Sequence, residues 1–199
     1  MSKPQALLQE ALFAHRAGRL ADALARYAQY TRLMPGDAAG WQNLAVVAQQ
    51  CRDFAQAARA VQKSLDLRPD EPACLLLAGN IHQDLGDLEA AAGHLEKAVR
   101  VAPGFAQAWN NLGIVRRERG LMDAAEAAFR AAVQAKPDYA RAWNNLGSTL
   151  LHLERPGEAQ ECFRTALALD PKYAHAHLNL GLYQLAIGRH AEAEASLAR

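Results

Sequence analysis

A six-residue stretch recurs at a spacing of 34 residues and limits the architectures that this chain can adopt. Residues 108–113 read AWNNLG, and residues 142–147 repeat the same letters. Related versions occupy residues 40–45 and 176–181. Prolines keep the same period, at Pro35, Pro69, Pro103, Pro137 and Pro171. A fixed period in this range is typical of stacked supersecondary units, so we interpret the chain as an array of repeats.

The period divides the chain into five full repeats and one partial repeat, at 4–37, 38–71, 72–105, 106–139, 140–173 and 174–199. Each repeat holds two apolar patterns of period 3.6, which predict a helix–turn–helix unit. In the fourth repeat, Gly120 lies between the two patterns and Pro137 follows the second. Glycine allows a helix to stop in the left-handed region, and proline blocks continuation of a helix. We therefore predict an all-α fold, an α-solenoid that occupies 4–199 as one domain.

Small residues recur where two helices must approach closely. We number the places of each repeat from its first residue. The eighth place is Ala or Gly throughout, and a glycine within a helix costs about 1 kcal/mol relative to alanine. A packing role is therefore expected, with a large side chain at the twenty-fourth place filling the gap. The residues at that place are Tyr27, Val61, Leu95, Phe129, Phe163 and Leu197.

The combined pattern of Trp, Leu-Gly, Gly, Ala, Phe and Pro over 34 residues resembles the tetratricopeptide repeat (TPR). The resemblance covers residues 4–199. It implies antiparallel helix pairs stacked into a right-handed superhelix, with a concave groove lined mainly by the first helices. The first repeat is the poorest match, with Leu7 in place of Trp and Glu10 in place of Leu. Such divergence suits a terminal repeat, which faces water on one side.

Composition limits the classes of partner and the compartment. A formal net charge of +1 offers no overall field for nucleic acid or for an anionic membrane. No apolar run approaches the roughly 18 residues of a membrane span. The opening residues lead into an amphipathic pattern without the apolar core of a signal peptide, so we expect none. Cys51, Cys74 and Cys162 are scattered, which favours a reducing compartment, and we expect a cytoplasmic protein. The last repeat lacks a polar cap, so we expect a parent protein that continues beyond Arg199.

The sequence contains no motif of a catalytic, metal or cofactor site. We expect Glu158 and Glu161 to face solvent, and His175 and His177 to point to different faces of a helix. The tryptophans resemble a stacking platform for bases or sugars, but their place in the repeat favours a role in packing between helices. They are Trp41, Trp109 and Trp143.

The sixth place carries the strongest functional signal. Its residues are Gln9, Asn43, Leu77, Asn111, Asn145 and Asn179. Asparagine is a mediocre helix former, so its repetition within helices needs a reason. A primary amide offers a donor and an acceptor, which match the two groups of a peptide unit. Successive repeats and three extended residues both advance by about 10 Å, so this ladder could hold an extended peptide. Alternatively, each asparagine bonds within its own repeat and fixes helix packing.

This ladder is similar to the TPR region of O-GlcNAc transferases. The resemblance implies that Asn43, Asn111, Asn145 and Asn179 hold the backbone of a protein substrate, while Leu77 interrupts the series. The lysine and arginine of the chaperone-tail clamp found in other TPR domains are absent. Neighbouring places add further candidates for the groove, namely Asn80, Arg117 and Arg141. The arginines could favour an acidic ligand, although an ordinary solvated face remains the alternative.

Three functions remain open at this point. The first is a non-catalytic scaffold that binds an extended polypeptide in the concave groove. The second is the substrate-recruiting arm of a larger enzyme such as a glycosyltransferase, with the catalytic domain after residue 199. The third is an assembly module that associates with itself through an exposed C-terminal helix. None of the three requires a cofactor, a nucleic acid or a membrane.

Overall fold

The computed structural model describes residues 2–198, which form twelve α-helices and no strand. The predicted all-α fold is confirmed, and it is a helical-repeat solenoid. The helices are α1 (Lys3–Arg16), α2 (Leu20–Leu33), α3 (Ala38–Gln50), α4 (Phe54–Leu67), α5 (Pro72–Asp84), α6 (Leu88–Val101), α7 (Ala106–Glu118), α8 (Met122–Ala135), α9 (Ala140–His152), α10 (Pro156–Leu169), α11 (Ala174–Ala186) and α12 (His190–Leu197).

The chain divides into two compact units, Met1–Ala102 and Pro103–Arg199. Helices α1 to α6 belong to the first unit, and α7 to α12 belong to the second. Within each unit, every first helix packs most extensively on the second helix of its own repeat. It also packs on the second helix of the preceding repeat in that unit. The assignment of 4–199 to one continuous domain stays a prediction.

A residue in the left-handed region separates the two helices of every repeat. Glycine takes this fifteenth place in four repeats, with φ between 71° and 78° at Gly18, Gly86, Gly120 and Gly188. The other two repeats use Arg52, with φ 62°, and Glu154, with φ 57°. A side chain is disfavoured in this region because its Cβ approaches the backbone. The geometry of the repeat therefore imposes the same turn on residues that do not prefer it.

The eighth-place glycines let a large side chain of the second helix contact the backbone of the first. A Cβ added at Gly113 would lie 2.6 Å from Cε1 of Phe129, and one added at Gly147 would lie 2.7 Å from Cε1 of Phe163. Gly79 has the same relationship with Leu95. Real Cβ atoms do not approach other atoms so closely, so the predicted packing role of these glycines is confirmed.

The tryptophans pack between helices and also fix the turn that precedes their repeat. Their Nε1 atoms donate hydrogen bonds of 2.8 to 2.9 Å to the carbonyl oxygens of the period prolines. The third repeat has Leu75 at the same place, which offers no donor. There Lys97 Nζ donates to the carbonyl oxygen of Pro69 over 2.7 Å. The bonded pairs are Trp41 with Pro35, Trp109 with Pro103 and Trp143 with Pro137.

Candidate peptide-binding face

One stripe of each first helix remains open to solvent. In α9 this stripe consists of Arg141, Asn145, Ser148 and His152, which are exposed or half-buried and recur at i, i+4, i+7 and i+11. Most other residues of α9 are buried against α8 and α10. The same four places are the second, sixth, ninth and thirteenth of every repeat. We call this stripe the first-helix face and describe it separately for each unit.

The second unit presents three candidate asparagines on this face. Asn111, Asn145 and Asn179 are half-buried on α7, α9 and α11. The first unit presents Asn43 on α3 and Asn80 on α5, both half-buried. Leu77 occupies the sixth place of α5 and is buried, so the ladder is interrupted there as the sequence indicates.

Two of the three sixth-place amides of the second unit, those of Asn145 and Asn179, are held by buried amides of the preceding repeat. Asn145 Nδ2 donates to Asn110 Oδ1 over 2.9 Å, and Asn179 Nδ2 donates to Asn144 Oδ1 over 2.9 Å. Asn110 is fully buried, and Asn144 is 5 % exposed. Asn110 also donates from Nδ2 to Asn111 Oδ1 over 3.1 Å. The hydrogen bonds at Asn145 and Asn179 therefore cross between repeats and do not lie within one repeat.

These bonds leave part of each amide for a ligand. Asn145 and Asn179 each use one of two N–H groups. Within residues 2–198, neither side-chain Oδ1 accepts a hydrogen bond. One donor and one acceptor are what a peptide unit needs from its partner.

Sequence reasoning missed the fifth-place asparagines. The available signal was the doubled asparagine of the AWNNLG stretch, in which the first amide is buried and the second is half-buried. In the first unit the residues at the fifth place are Leu8, Gln42 and Leu76. Asn43 makes no side-chain hydrogen bond with any residue that the structure describes. The two amide-to-amide bonds that join neighbouring repeats, Asn145 to Asn110 and Asn179 to Asn144, both lie within the second unit.

The two candidate arginines have different surroundings. Arg141 is exposed at the start of α9 and forms no ion pair within the described range. Arg117 is half-buried, with its guanidinium 5.8 Å from the ring centroid of Phe129. Burial lowers the pKa of that guanidinium, while the Glu118 carboxylate raises it. Only Arg141 lies on the first-helix face, because Arg117 occupies the twelfth place and stacks on the ring that fills the gap at Gly113.

The two carboxylates singled out in α10 are exposed, and one of them takes part in an ion-pair network. Arg155 donates from Nε and Nη2 to Glu158 and from Nη1 to Glu126, each over 2.7 Å. Arg130 also forms ion pairs with Glu126 and Glu158. The hydrogen bonds from Arg155 hold the pKa of Glu158 below its usual value. This network joins α8 to α10, which is a structural role.

A groove of about 410 Å³ lies beside this network, between α8, α9 and α10. Val133, Trp143, Leu146 and Leu150 line it, with charged side chains at its edge. The residues that line it are the ones that join neighbouring repeats, so the groove is a gap in helix packing. Within the described residues, no cluster of three His, Cys, Asp or Glu side chains is arranged to hold a metal ion.

Comparison with known proteins agrees with this repeat geometry. The sequence model of the tetratricopeptide repeat matches residues 76–140, 123–159 and 144–199, which together cover more than half of the chain. The chain belongs to the tetratricopeptide repeat family. TPR proteins are protein–protein interaction scaffolds and are generally non-enzymatic, which defines the broad functional class. No curated protein matches this TPR chain in sequence.

Solved TPR structures share the fold at low sequence identity. MamA from Desulfovibrio magneticus RS-1 is 20 % identical, with a TM-score of 0.79, over 87 % of this chain and 98 % of that chain. PilF from Pseudomonas aeruginosa is 17 % identical, with a TM-score of 0.82, over 98 % and 88 %. YrrB, described as a TPR protein with an unusual peptide-binding site, is 22 % identical, with a TM-score of 0.69, over 83 % and 86 %. Among the described residues, no helix is both long and apolar enough to cross a membrane.

Proposed function

We propose that this TPR chain is a scaffold that binds an extended polypeptide on the first-helix face. In the second unit, Asn111, Asn145 and Asn179 contact the peptide backbone, and Arg141 attracts carboxylates of the ligand. The exposure and the hydrogen bonding of Asn145 and Asn179 support this proposal most directly. Both amides are half-exposed, held in place by one hydrogen bond, and still provide one donor and one acceptor.

The spacing of the asparagines fits this ligand. Neighbouring first helices lie about 8–10 Å apart when they pack, and three extended residues span about 10 Å. Consecutive sixth-place amides can therefore meet every third peptide unit of an extended chain. On the first unit, the side-chain amides of Asn43 and Asn80 are further candidate contacts on the first-helix face. Arg117 lies off the first-helix face, beside Phe129, and adds positive charge to the second unit. The peptide-binding site described for YrrB supports this class of ligand for the fold.

The proposal is tested with peptides of about fifteen residues selected from a random display library on the purified protein. Fluorescence anisotropy then gives the affinity of several unrelated peptides for the wild type and for Asn179→Ala. We expect Asn179→Ala to weaken the binding of all these peptides by a similar factor, about tenfold. A contact to the peptide backbone does not depend on the side chains of the peptide. Gln134→Ala, on the exposed surface of α8, is the matched control and should leave affinity unchanged. Equal affinities in Asn179→Ala and the control would refute the assignment.

A second interaction is favoured by the exposed leucines of α11, one of which, Leu182, stands at the ninth place and so also belongs to the first-helix face. Leu178, Leu182 and Leu185 are 47 %, 52 % and 41 % exposed and recur at i, i+4 and i+7. The equivalent places of α9 are buried or half-buried, since α11 contacts α9. Between Ala174 and Ala186 there is no Asp, Glu, Lys or Arg, so two copies of α11 can meet without like-charge repulsion. The sequence indicated self-association through the C-terminal helix, which is α12; we propose instead that this surface of α11 binds α11 of a second copy.

Helix α1, in the first repeat, is less suited to self-association. Glu10 takes a place that is leucine in four of the other repeats, and it pairs with Arg26.

Light scattering over a concentration series tests the α11 contact. The mass of the wild type should rise from 21.6 kDa towards twice that value. Leu182→Glu should remain monomeric, whereas Leu121→Glu, at an exposed leucine outside the patch, should behave like the wild type. A wild type that stays monomeric throughout would exclude the contact.

We also propose a cytoplasmic location for the scaffold. Cys51, Cys74 and Cys162 are all free thiols, and a reducing compartment keeps thiols in that state. Fractionation of cells that express the tagged protein tests this location directly.

A further inference from the structure

We infer that Asn110 and Asn144 are positioning residues for peptide binding, although neither can touch the peptide. Each fixes the side-chain amide of the asparagine that follows it by one repeat, so that the amide is already oriented before a ligand arrives. This inference rests on the proposed function, because it concerns how Asn145 and Asn179 act on the same peptide. It adds specific residues that the repeat pattern alone does not select.

Burial and hydrogen bonding assign this role. Asn110 has no exposed surface and Asn144 is 5 % exposed, so direct contact with a ligand on the first-helix face is excluded. Their Oδ1 atoms nevertheless accept hydrogen bonds of 2.9 Å from Asn145 and Asn179, which are half-buried on that face. A buried amide is costly unless it is satisfied, and these bonds satisfy the two oxygens.

The direction of each bond decides what the ligand meets. Because Nδ2 of Asn145 is the donor to Asn110, the amide cannot rotate freely about its last torsion. Its Oδ1 and its second N–H are then the groups left for the peptide. A side chain that is immobilised in advance loses less conformational entropy on binding, and this saving corresponds to about two- to tenfold in affinity for each amide.

The chain itself shows which substitution isolates this effect. Leucine occupies the fifth place in three other repeats, at Leu8, Leu76 and Leu178. Leucine has nearly the shape of asparagine and lacks hydrogen-bonding groups, so Asn144→Leu should fold normally and release Asn179. It also leaves no orphaned polar atom at the buried position, which would otherwise destabilise the fold.

The first experiment needs no ligand. Nitrogen-15 relaxation of the side-chain NH₂ groups in the full chain reports how rigidly each asparagine amide is held. We expect Asn144→Leu to lower the order parameter of the Asn179 amide and to leave the Asn145 amide unchanged. Asn110→Leu should have the reverse pattern. Order parameters at Asn179 and Asn145 that do not respond to these substitutions would overturn the inference.

The second experiment uses a peptide selected on the wild type and compares pairs of substitutions. Asn144→Leu should weaken binding by about two- to tenfold, and it should have no further effect once Asn179 is alanine. Asn144→Leu combined with Asn145→Ala should instead show additive losses. Additivity within the bonded pair, or no loss in Asn144→Leu, would refute the positioning role even if the peptide still depends on Asn179. If Asn179→Ala binds the peptide with wild-type affinity, the proposed function fails, and this inference fails with it. The relaxation data alone would not reveal that outcome.

Discussion

Asn145 Nδ2 lies 2.9 Å from Oδ1 of the fully buried Asn110, one repeat earlier in the chain. This bond gives the sixth-place asparagine a structural partner in addition to its half-buried position on the first-helix face. It also changes the expected result of an alanine substitution. Alanine is the stronger helix former, but removal of the Asn145 amide leaves a buried oxygen without a donor. The sequence alone predicts a neutral or slightly stabilising change, whereas the structure predicts a loss of stability.

Gly113→Leu should destabilise the second unit. The new side chain would occupy the space of the Phe129 ring, which already lies 2.6 Å from the position of an added Cβ. Overpacking of this kind typically costs about 1–3 kcal/mol. Thermal unfolding followed by circular dichroism measures the change. Gly157→Leu on α10 is the control, because a Cβ at Gly157 meets no atom within 4 Å. Equal melting temperatures for Gly113→Leu and the wild type would contradict the packing role.

Glu154→Gly should stabilise the fold. Glu154 has φ 57°, and four other repeats place glycine in this left-handed position. Relief of the backbone strain is worth about 1–2 kcal/mol, from which the extra flexibility of the unfolded glycine subtracts about 0.5–1 kcal/mol. Chemical denaturation measures the free energy of unfolding. Gly120→Ala places a side chain in the same left-handed position of another repeat, so it should change this free energy in the opposite direction to Glu154→Gly. A Glu154→Gly protein that is less stable than the wild type would show that the carboxylate makes a stabilising contact.

The stability of the first unit should decrease as the pH falls below about 6.5. The ring of His94 stacks on that of His82 with 5.1 Å between centroids. Burial, and then the proximity of His82 and Lys97, lower the pKa of His94 from 6.5, while Asp87 opposes the shift. The unfolded chain therefore takes up a proton more readily than the folded one. Neutral His94 stabilises the fold above pH 6.5, and this contribution is lost as the pH falls towards the lower folded pKa.

Denaturation of the full chain at pH 7.5, 6.5 and 5.5 measures this dependence. The slope should be smaller in His94→Gln than in the wild type. Gln134→Ala, on the exposed surface of α8 in the other unit, removes no titratable group and should keep the slope of the wild type. An unchanged slope in His94→Gln would mean that other groups determine the dependence on pH.

The repeat period predicts the helices, the turns and the close contact of Gly113 with Phe129, because these follow from which residue types recur along the chain. It does not predict the bond from Asn145 to Asn110 or the replacement of a tryptophan donor by Lys97. Both depend on how side chains of different helices meet, and their partners lie 28 to 35 residues apart. Arg117 is a similar case, since its contact with the Phe129 ring depends on how side chains of two different helices meet.

We propose that the sixth-place amides bind a peptide backbone and do not only join repeats. The most direct test compares Asn145→Ala with the paired variant Asn110→Leu/Asn145→Ala. The single variant should lose about 1–3 kcal/mol of stability because the Asn110 oxygen loses its donor, and the paired variant should recover most of it because both polar partners are gone. Titration with a peptide selected on the wild type should show that both variants bind about tenfold more weakly per folded molecule. Wild-type affinity in the paired variant would show that the asparagines only hold the repeats together, and the peptide-binding account would be wrong.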